Sequence, residues 1–138
     1  AKAKAEMERQ KSAFASLDWS DIKAENLFKT CVSNPNYCCF VAEKNGVLVG
    51  MIAGKVSEYF FGHDKILSDF VWFVDKKNRG SLASIILLKM FKNFGKKQKV
   101  AEVCIGVSTK VLLDRTDKLL KRFGFENVGG TYKLMMKG

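Results

Sequence analysis

"VDKKNRGSLASIILLKMF", residues 74–91, reads as the end of an apolar strand, a basic turn with one glycine, and an amphipathic helix. A helix start leaves several backbone N–H groups without intrahelical partners, and its macrodipole favours an anion there. Lys76, Lys77 and Arg79 add positive charge, and Gly80 lets backbone approach a ligand closely. Two readings follow. One is a phosphate-binding junction, the other a basic surface loop with a helix attached. The stretch alone does not choose between them.

Upstream of it, "YCCFVAE" and "VLVGMIAGKV" flank Asn45-Gly46. That dipeptide is a strong hairpin signal, because both residues tolerate positive φ in a tight primed turn. An antiparallel hairpin is expected there, then a turn in "EYFFGHDK" and a third strand in "ILSDFVWFV". The helix of the opening stretch is expected over 80–94. Ala83, Ile86, Leu87, Met90, Phe91 and Phe94 would face the sheet, and Gly95 would stop it. "VAEVCIGVS" reads as a buried strand, "DRTDKLLKRFGF" as a short helix and "TYKLMM" as a last strand.

Two helices, over 5–16 and 21–33, are expected before the hairpin. Asp18 or Ser20 would cap the second, and "NPN" at 34–36 would end it. Its apolar positions Ile22, Ala24, Leu27, Phe28, Cys31 and Val32 suit one broad face. The order of elements predicts one α/β domain over residues 1–138, with N-terminal helices in 1–36 and a core in 37–138. Its sheet would be mixed but mostly antiparallel, flanked by helices as a single layer-type domain.

Length and composition fit this. The chain has 138 residues, 47% of them hydrophobic and 12% aromatic, enough for a real core. The opening "AKAKAEMERQK" is charged and lacks the apolar segment of a signal peptide. No apolar run approaches the ~20 residues that cross a bilayer. A cytoplasmic protein without a membrane partner is expected.

Cys31, Cys38, Cys39 and Cys104 form no CxxC pair, and His63 is the one histidine, so no metal site is expected. Cys38 and Cys39 are adjacent in a strand and should point to opposite faces, packing as small apolar groups. The formal charge of +10, from 24 basic and 14 acidic residues, favours an anionic ligand. It is spread over helices and turns and carries no zinc-finger or RNP-like spacing. Nucleic-acid binding therefore stays open through charge alone and is not favoured.

Three local motifs resemble the GNAT-type acyl-CoA N-acyltransferases, in the right order and over most of the chain. "VAEKNGVLVGMIAG" resembles the family hairpin. "FVDKKNRGSLA" resembles the pyrophosphate loop Q/R-x-x-G-x-G/A, with Lys77 at the first position and Gly80 at the first glycine. "LLKRFGFENVGGTYKLMM" resembles the family's ending, with Gly124, Phe125 and Glu126 matching directly. "GVSTKVLLDRTDKLLKRFGF" is also similar, weakly, to members common in phage genomes.

The resemblance implies acetyl-CoA bound between two splayed strands, here 66–74 and 100–107. Backbone N–H groups of Arg79, Gly80, Ser81, Leu82, Ala83 and Ser84 would hold the pyrophosphate. Trp72, Phe73 and Val74 would pair with the pantetheine amides, and Lys77 would lie by the phosphates. The acceptor would be a primary amine on a small molecule or peptide, in a cleft made by loops near 17–36, 57–65 and 126–133.

Asp69 lies on the central strand near where some family members carry a glutamate and is the candidate general base, with Glu58 and a water held by Ser68 as comparable rivals. Two positions depart from the pattern. Leu82 stands where a second glycine or alanine is usual, and would crowd the phosphates unless it turned into the core. Leu120 replaces a tyrosine that protonates the leaving thiolate, leaving water, Tyr132 or Tyr59 for that role. A GNAT-like binding or virion-associated module without catalysis is the alternative these departures favour. A homodimer also remains open.

Overall fold

The computed structural model describes residues 20–75, 82–106, 113–129, 132, 134 and 136. They fall into two compact units, one formed by 20–106 and the other by the residues from 113 onward. Helix α1 (Asp21–Ser33) opens the first unit. Ser20 caps it, its hydroxyl accepting from Lys23 N–H at 3.2 Å, and Asp21 complements the dipole. The chain leaves α1 at Asn34 and turns through Pro35 into the sheet. The inward face of α1 is narrower than expected. Cys31 is buried and Ala24 and Phe28 are half-buried, whereas Ile22 and Val32 are exposed.

Strands β1 (Tyr37–Lys44), β2 (Val47–Glu58) and β3 (Lys65–Val74) form an antiparallel meander, and β4 (Glu102–Cys104) adds in parallel to β3. The sheet order is β1-β2-β3-β4, mixed and mostly antiparallel as the sequence predicts. Asn45 and Gly46 make the β1–β2 turn with φ of 53° and 75°, the two left-handed residues of a primed turn. Cys38 and Cys39 point to opposite faces, and burial pushes the Cys38 thiol up to about 12, so it packs as an apolar group.

Helix α2 (Leu82–Lys97) crosses one face of this sheet. Gly50 and Gly54 on β2 form a groove for it. A Cβ on Gly54 would lie 2.7 Å from the Phe91 ring, and one on Gly50 would lie 3.0 Å from Leu87. The buried stripe of α2 is therefore Ser84, Leu87, Leu88, Phe91 and Gly95. Ile86 and Met90, expected to face the sheet, are substantially exposed. Phe94 does reach inward, edge-on to Phe40 of β1 at 6.3 Å.

Gly95 does not stop α2. It sits inside the helix, where a Cβ would come within 2.9 Å of Val103. Instead the helix ends in a Schellman-type cap. Lys99 N–H donates to Lys96 O and Val100 N–H to Gly95 O, both at 3.1 Å, with Lys99 at φ 56°. A lysine in that left-handed position costs about 1 kcal/mol that glycine would avoid. Lys99→Gly is expected to raise stability by about 0.5–1 kcal/mol, read as a higher urea midpoint at unchanged m-value. A lower midpoint would mean that the Lys99 side chain contributes more than its backbone costs.

The second unit contains α3 (Leu113–Arg122). Its cap uses the residue α2 lacks. Gly124 has φ 89°, its N–H donates to Lys121 O, and Phe125 N–H donates to Leu120 O, each at 3.0 Å. The Gly-Phe pair thus turns the chain out of the helix. Of the expected final strand, Tyr132, Leu134 and Met136 are exposed and lie in no strand, and the rest is outside the described residues. The expected helix over 5–16 is outside them as well.

Candidate functional site

The site begins where β4 leaves β3. The parallel ladder holds only three pairs, Ile66↔Glu102, Leu67↔Val103 and Ser68↔Cys104. Beyond Ser68, β3 continues six residues to Val74 without β4 beside it. The strand expected over 100–107 is thus three residues long, and Val107 is outside the described residues.

The divergence coincides with a β-bulge. Ala53 pairs with Val71 and Gly54 with Asp69, so Phe70 is an extra residue on β3. A bulge bends its strand and sharpens the local twist. Phe70 turns to the face opposite α2, edge-on to Tyr37 at 6.4 Å. The bulged Phe70 comes two residues after Ser68, the last β3 residue paired with β4, where a straight strand would have continued the ladder.

Asp69 sits at this apex. Gly106 N–H donates to its Oδ1 at 2.8 Å, tying the chain after β4 to β3 where the backbone ladder has stopped. Burial pushes the Asp69 carboxyl up from its ordinary 3.8 to about 6, against the opposing effect of the Gly106 hydrogen bond. A carboxylate titrating near neutrality is suited to taking a proton from a reacting amine. The rival groups are differently engaged. Glu58 lies 3.1 Å from His63 Nδ1 at the far end of the β2–β3 hairpin. Ser68 pairs with Lys55, whose ammonium lies over the Tyr37 ring, on the face opposite α2.

Trp72, Phe73 and Val74 lie on the part of β3 that outruns β4. At the N-terminus of α2, Ala83 is half-buried and Ser84 buried, and the first turn carries no acidic side chain. Leu82 is 68% exposed, so it does not turn into the core. Lys77, Arg79, Gly80 and Ser81 lie outside the described residues. Leu120 belongs to the second unit, in α3. Tyr132 is exposed there, and Tyr59 packs edge-on to Phe61 at 5.9 Å in the β2–β3 turn. In that turn Phe60 and Phe61 are 93% and 89% exposed.

Three features escaped the sequence. The bulge at Phe70 depends on register between two strands. Gly106 is 37 positions from the carboxylate it binds. Trp72 carries a buried indole N–H without an acceptor, which no periodicity signals. Among the described residues no helix is long and apolar enough to cross a membrane.

A meander, a helix over its glycine groove and a short parallel strand that parts at a bulge together make the GNAT acetyltransferase fold. Solved structures share it over nearly the whole chain. The aminoglycoside N-acetyltransferase AAC(6')-Iy, solved with a bisubstrate analogue of CoA, superposes with a TM-score of 0.69 at 16% identity, covering 94% of this chain and 87% of that one. Glucosamine-6-phosphate N-acetyltransferase from Arabidopsis thaliana gives 0.68 at 14% identity, covering 86% and 80%. An acetyltransferase from Trypanosoma brucei gives 0.67 at 15% identity, covering 96% and 92%. No family model and no curated protein matches the chain by sequence.

Proposed function

We propose that this chain is an acetyl-CoA-dependent N-acetyltransferase acting on a primary amine. The parting of β4 from β3 after Ser68↔Cys104, with a bulge at Phe70, carries this reading. It leaves a wedge of the kind an extended pantetheine arm fills. The fit of acetyl-CoA is supported at the other end by the first turn of α2, which presents no acidic side chain to repel a phosphate. Backbone N–H groups of residues 79–84 would hold the pyrophosphate, with Lys76 and Lys77 by the 3′-phosphate. The stretch of Trp72, Phe73 and Val74 would flank the arm. Solved structures of the same fold with CoA or a CoA analogue bound support the assignment.

When bound, acetyl-CoA supplies an acetyl thioester for the amine to attack. The protein must present that amine neutral. Asp69 is the group suited to take its proton, directly or through one water, because burial places its pKa at about 6. Leu120 has no proton to give. A thiol of pKa ~8.5 can leave as thiolate and be protonated by water, so its loss of a donor slows transfer without forbidding it.

Titration calorimetry tests the cofactor. Acetyl-CoA is expected to bind in the micromolar range, about −8 kcal/mol, and dephospho-CoA about tenfold more weakly than CoA. No heat of binding up to millimolar acetyl-CoA would overturn the proposal. A second reading, a binding module without catalysis, is favoured by Leu120 and the exposed Leu82. Acetyl-CoA binding with no thiol release across a panel of amines, peptides and amino-nucleosides would select it.

A further inference from the structure

Trp72 presents a difficulty that the fold does not resolve. Its indole Nε1 is shut off from solvent and has no hydrogen-bond acceptor, the one buried side-chain nitrogen or oxygen in that state among the described residues. A buried donor left unsatisfied costs about 1–3 kcal/mol. Native folds seldom tolerate one without a reason. A phenylalanine would fill much of the same space without that cost.

Position narrows the reasons. Trp72 pairs with Ile52 on β2, so both side chains share a face. Two residues either side of Ile52, the α carbons of Gly50 and Gly54 look onto Leu87 and Phe91 of α2, and Ile52 itself is fully buried. The indole therefore lies on the α2 side of the sheet. It also lies four positions beyond Ser68, the last residue of β3 that β4 covers. The unsatisfied donor thus stands where the wedge has opened, on the helix side of its wall. Nothing in the core there supplies an acceptor, whereas a pantetheine arm brings two amide carbonyls and, when acylated, a thioester carbonyl.

We infer that the Trp72 side chain is a cofactor-binding donor, its Nε1–H giving a hydrogen bond to a carbonyl oxygen of the acyl-pantetheine arm. The inference rests on the acetyl-CoA reading above and adds to it a side-chain contact that selects for the arm rather than the nucleotide. Because Nε1 is shut off from solvent in the free protein, the ring or its cover must shift to admit the arm, but no existing hydrogen bond of the indole is broken when it does.

The chain has two tryptophans, Trp19 and Trp72, so an indole-¹⁵N-labelled sample gives two side-chain N–H signals. Trp72→Phe removes one and assigns it, and Trp19→Phe assigns the same signal by what it leaves should the first variant not fold. Acetyl-CoA is expected to move the Trp72 indole proton downfield, and adenosine 3′,5′-bisphosphate, which lacks the arm, to leave it in place. Movement with CoA as well identifies an amide carbonyl as acceptor, and movement with acetyl-CoA alone identifies the thioester. Trp72→Phe should weaken acetyl-CoA about three- to tenfold by calorimetry, with the bisphosphate unaffected. A Trp72 signal that stays put while calorimetry records acetyl-CoA binding overturns the inference and leaves the acetyl-CoA reading standing. A signal that moves equally with the bisphosphate overturns it too. Absence of any acetyl-CoA binding overturns both.

Discussion

Asp69→Asn should cost about 10²–10⁴-fold in amine acetylation and, at the same time, make the protein harder to unfold at pH 8. The two effects share one cause. Burial raises the folded-state pKa of Asp69 from 3.8 to about 6. A raised pKa means the folded state binds the proton more tightly than the unfolded state does. The stabilising contribution of the protonated form is therefore fully present below about pH 3.8 and is lost as pH climbs through about 6. Above that, folding must bury a charged carboxylate, at a cost on the order of 3 kcal/mol or less. Asparagine keeps the oxygen that accepts from Gly106 N–H and removes the charge.

The variant should accordingly melt higher than the parent at pH 8, with the difference vanishing near pH 4. In the parent, kcat/KM should rise with pH to a plateau with an inflection at about 6. Thermal melts at the two pH values and a thiol-release pH profile read out both halves. Undiminished acetylation by Asp69→Asn would remove Asp69 from the role of base. Equal melting at every pH would show that its carboxylate is not buried at a cost.

Gly54→Ala should lower stability by about 3 kcal/mol or more, enough to threaten folding of a domain this size. The added Cβ would lie 2.5 Å from Ser68 O and 2.7 Å from two atoms of the Phe91 ring. Neither neighbour can yield cheaply. Ser68 O belongs to the backbone of β3, and Phe91 is fully buried in the stripe of α2. The methyl would therefore push α2 off the sheet or shift the strand that carries Asp69. Gly46→Ala makes the useful contrast. No atom lies within 4 Å of its Cβ position, and only φ 75° opposes it, so about 1 kcal/mol is expected. Urea denaturation of the pair separates the two mechanisms. A loss for Gly54→Ala no larger than for Gly46→Ala would mean that helix and sheet can part without penalty.

Asn45-Gly46 and Pro35 marked their turn and helix end, and Ser20 was one of two cap candidates with Asp18, because each acts through its own backbone or a neighbour a few residues away. Errors came where distant chain decides. Ile86 and Met90 have the right period to face the sheet, but Gly50 and Gly54, more than thirty positions earlier, set where α2 can sink in and so which stripe is buried. Gly95 looked like a helix stop, yet its missing side chain answers to Val103 across the fold, and Lys99 ends the helix instead. Asp69 was visible as a carboxylate on an apolar strand. That it stands at the apex of the wedge depends on the bulge at Phe70 and on Gly106, and neither has a local signature.

The three-pair attachment of β4 has a bearing on the order in which the first unit assembles. The meander needs only tight connections, two residues between β1 and β2 and six between β2 and β3, so its loops close at little entropic cost. Meeting Ile66 with Glu102 closes a far longer loop, which contains the whole of α2. With so few pairs to reward that closure, β4 is expected to be the last strand to join and the first to detach. Excursions that release it would open the wedge from its apex while leaving the three-stranded meander and its glycine groove whole.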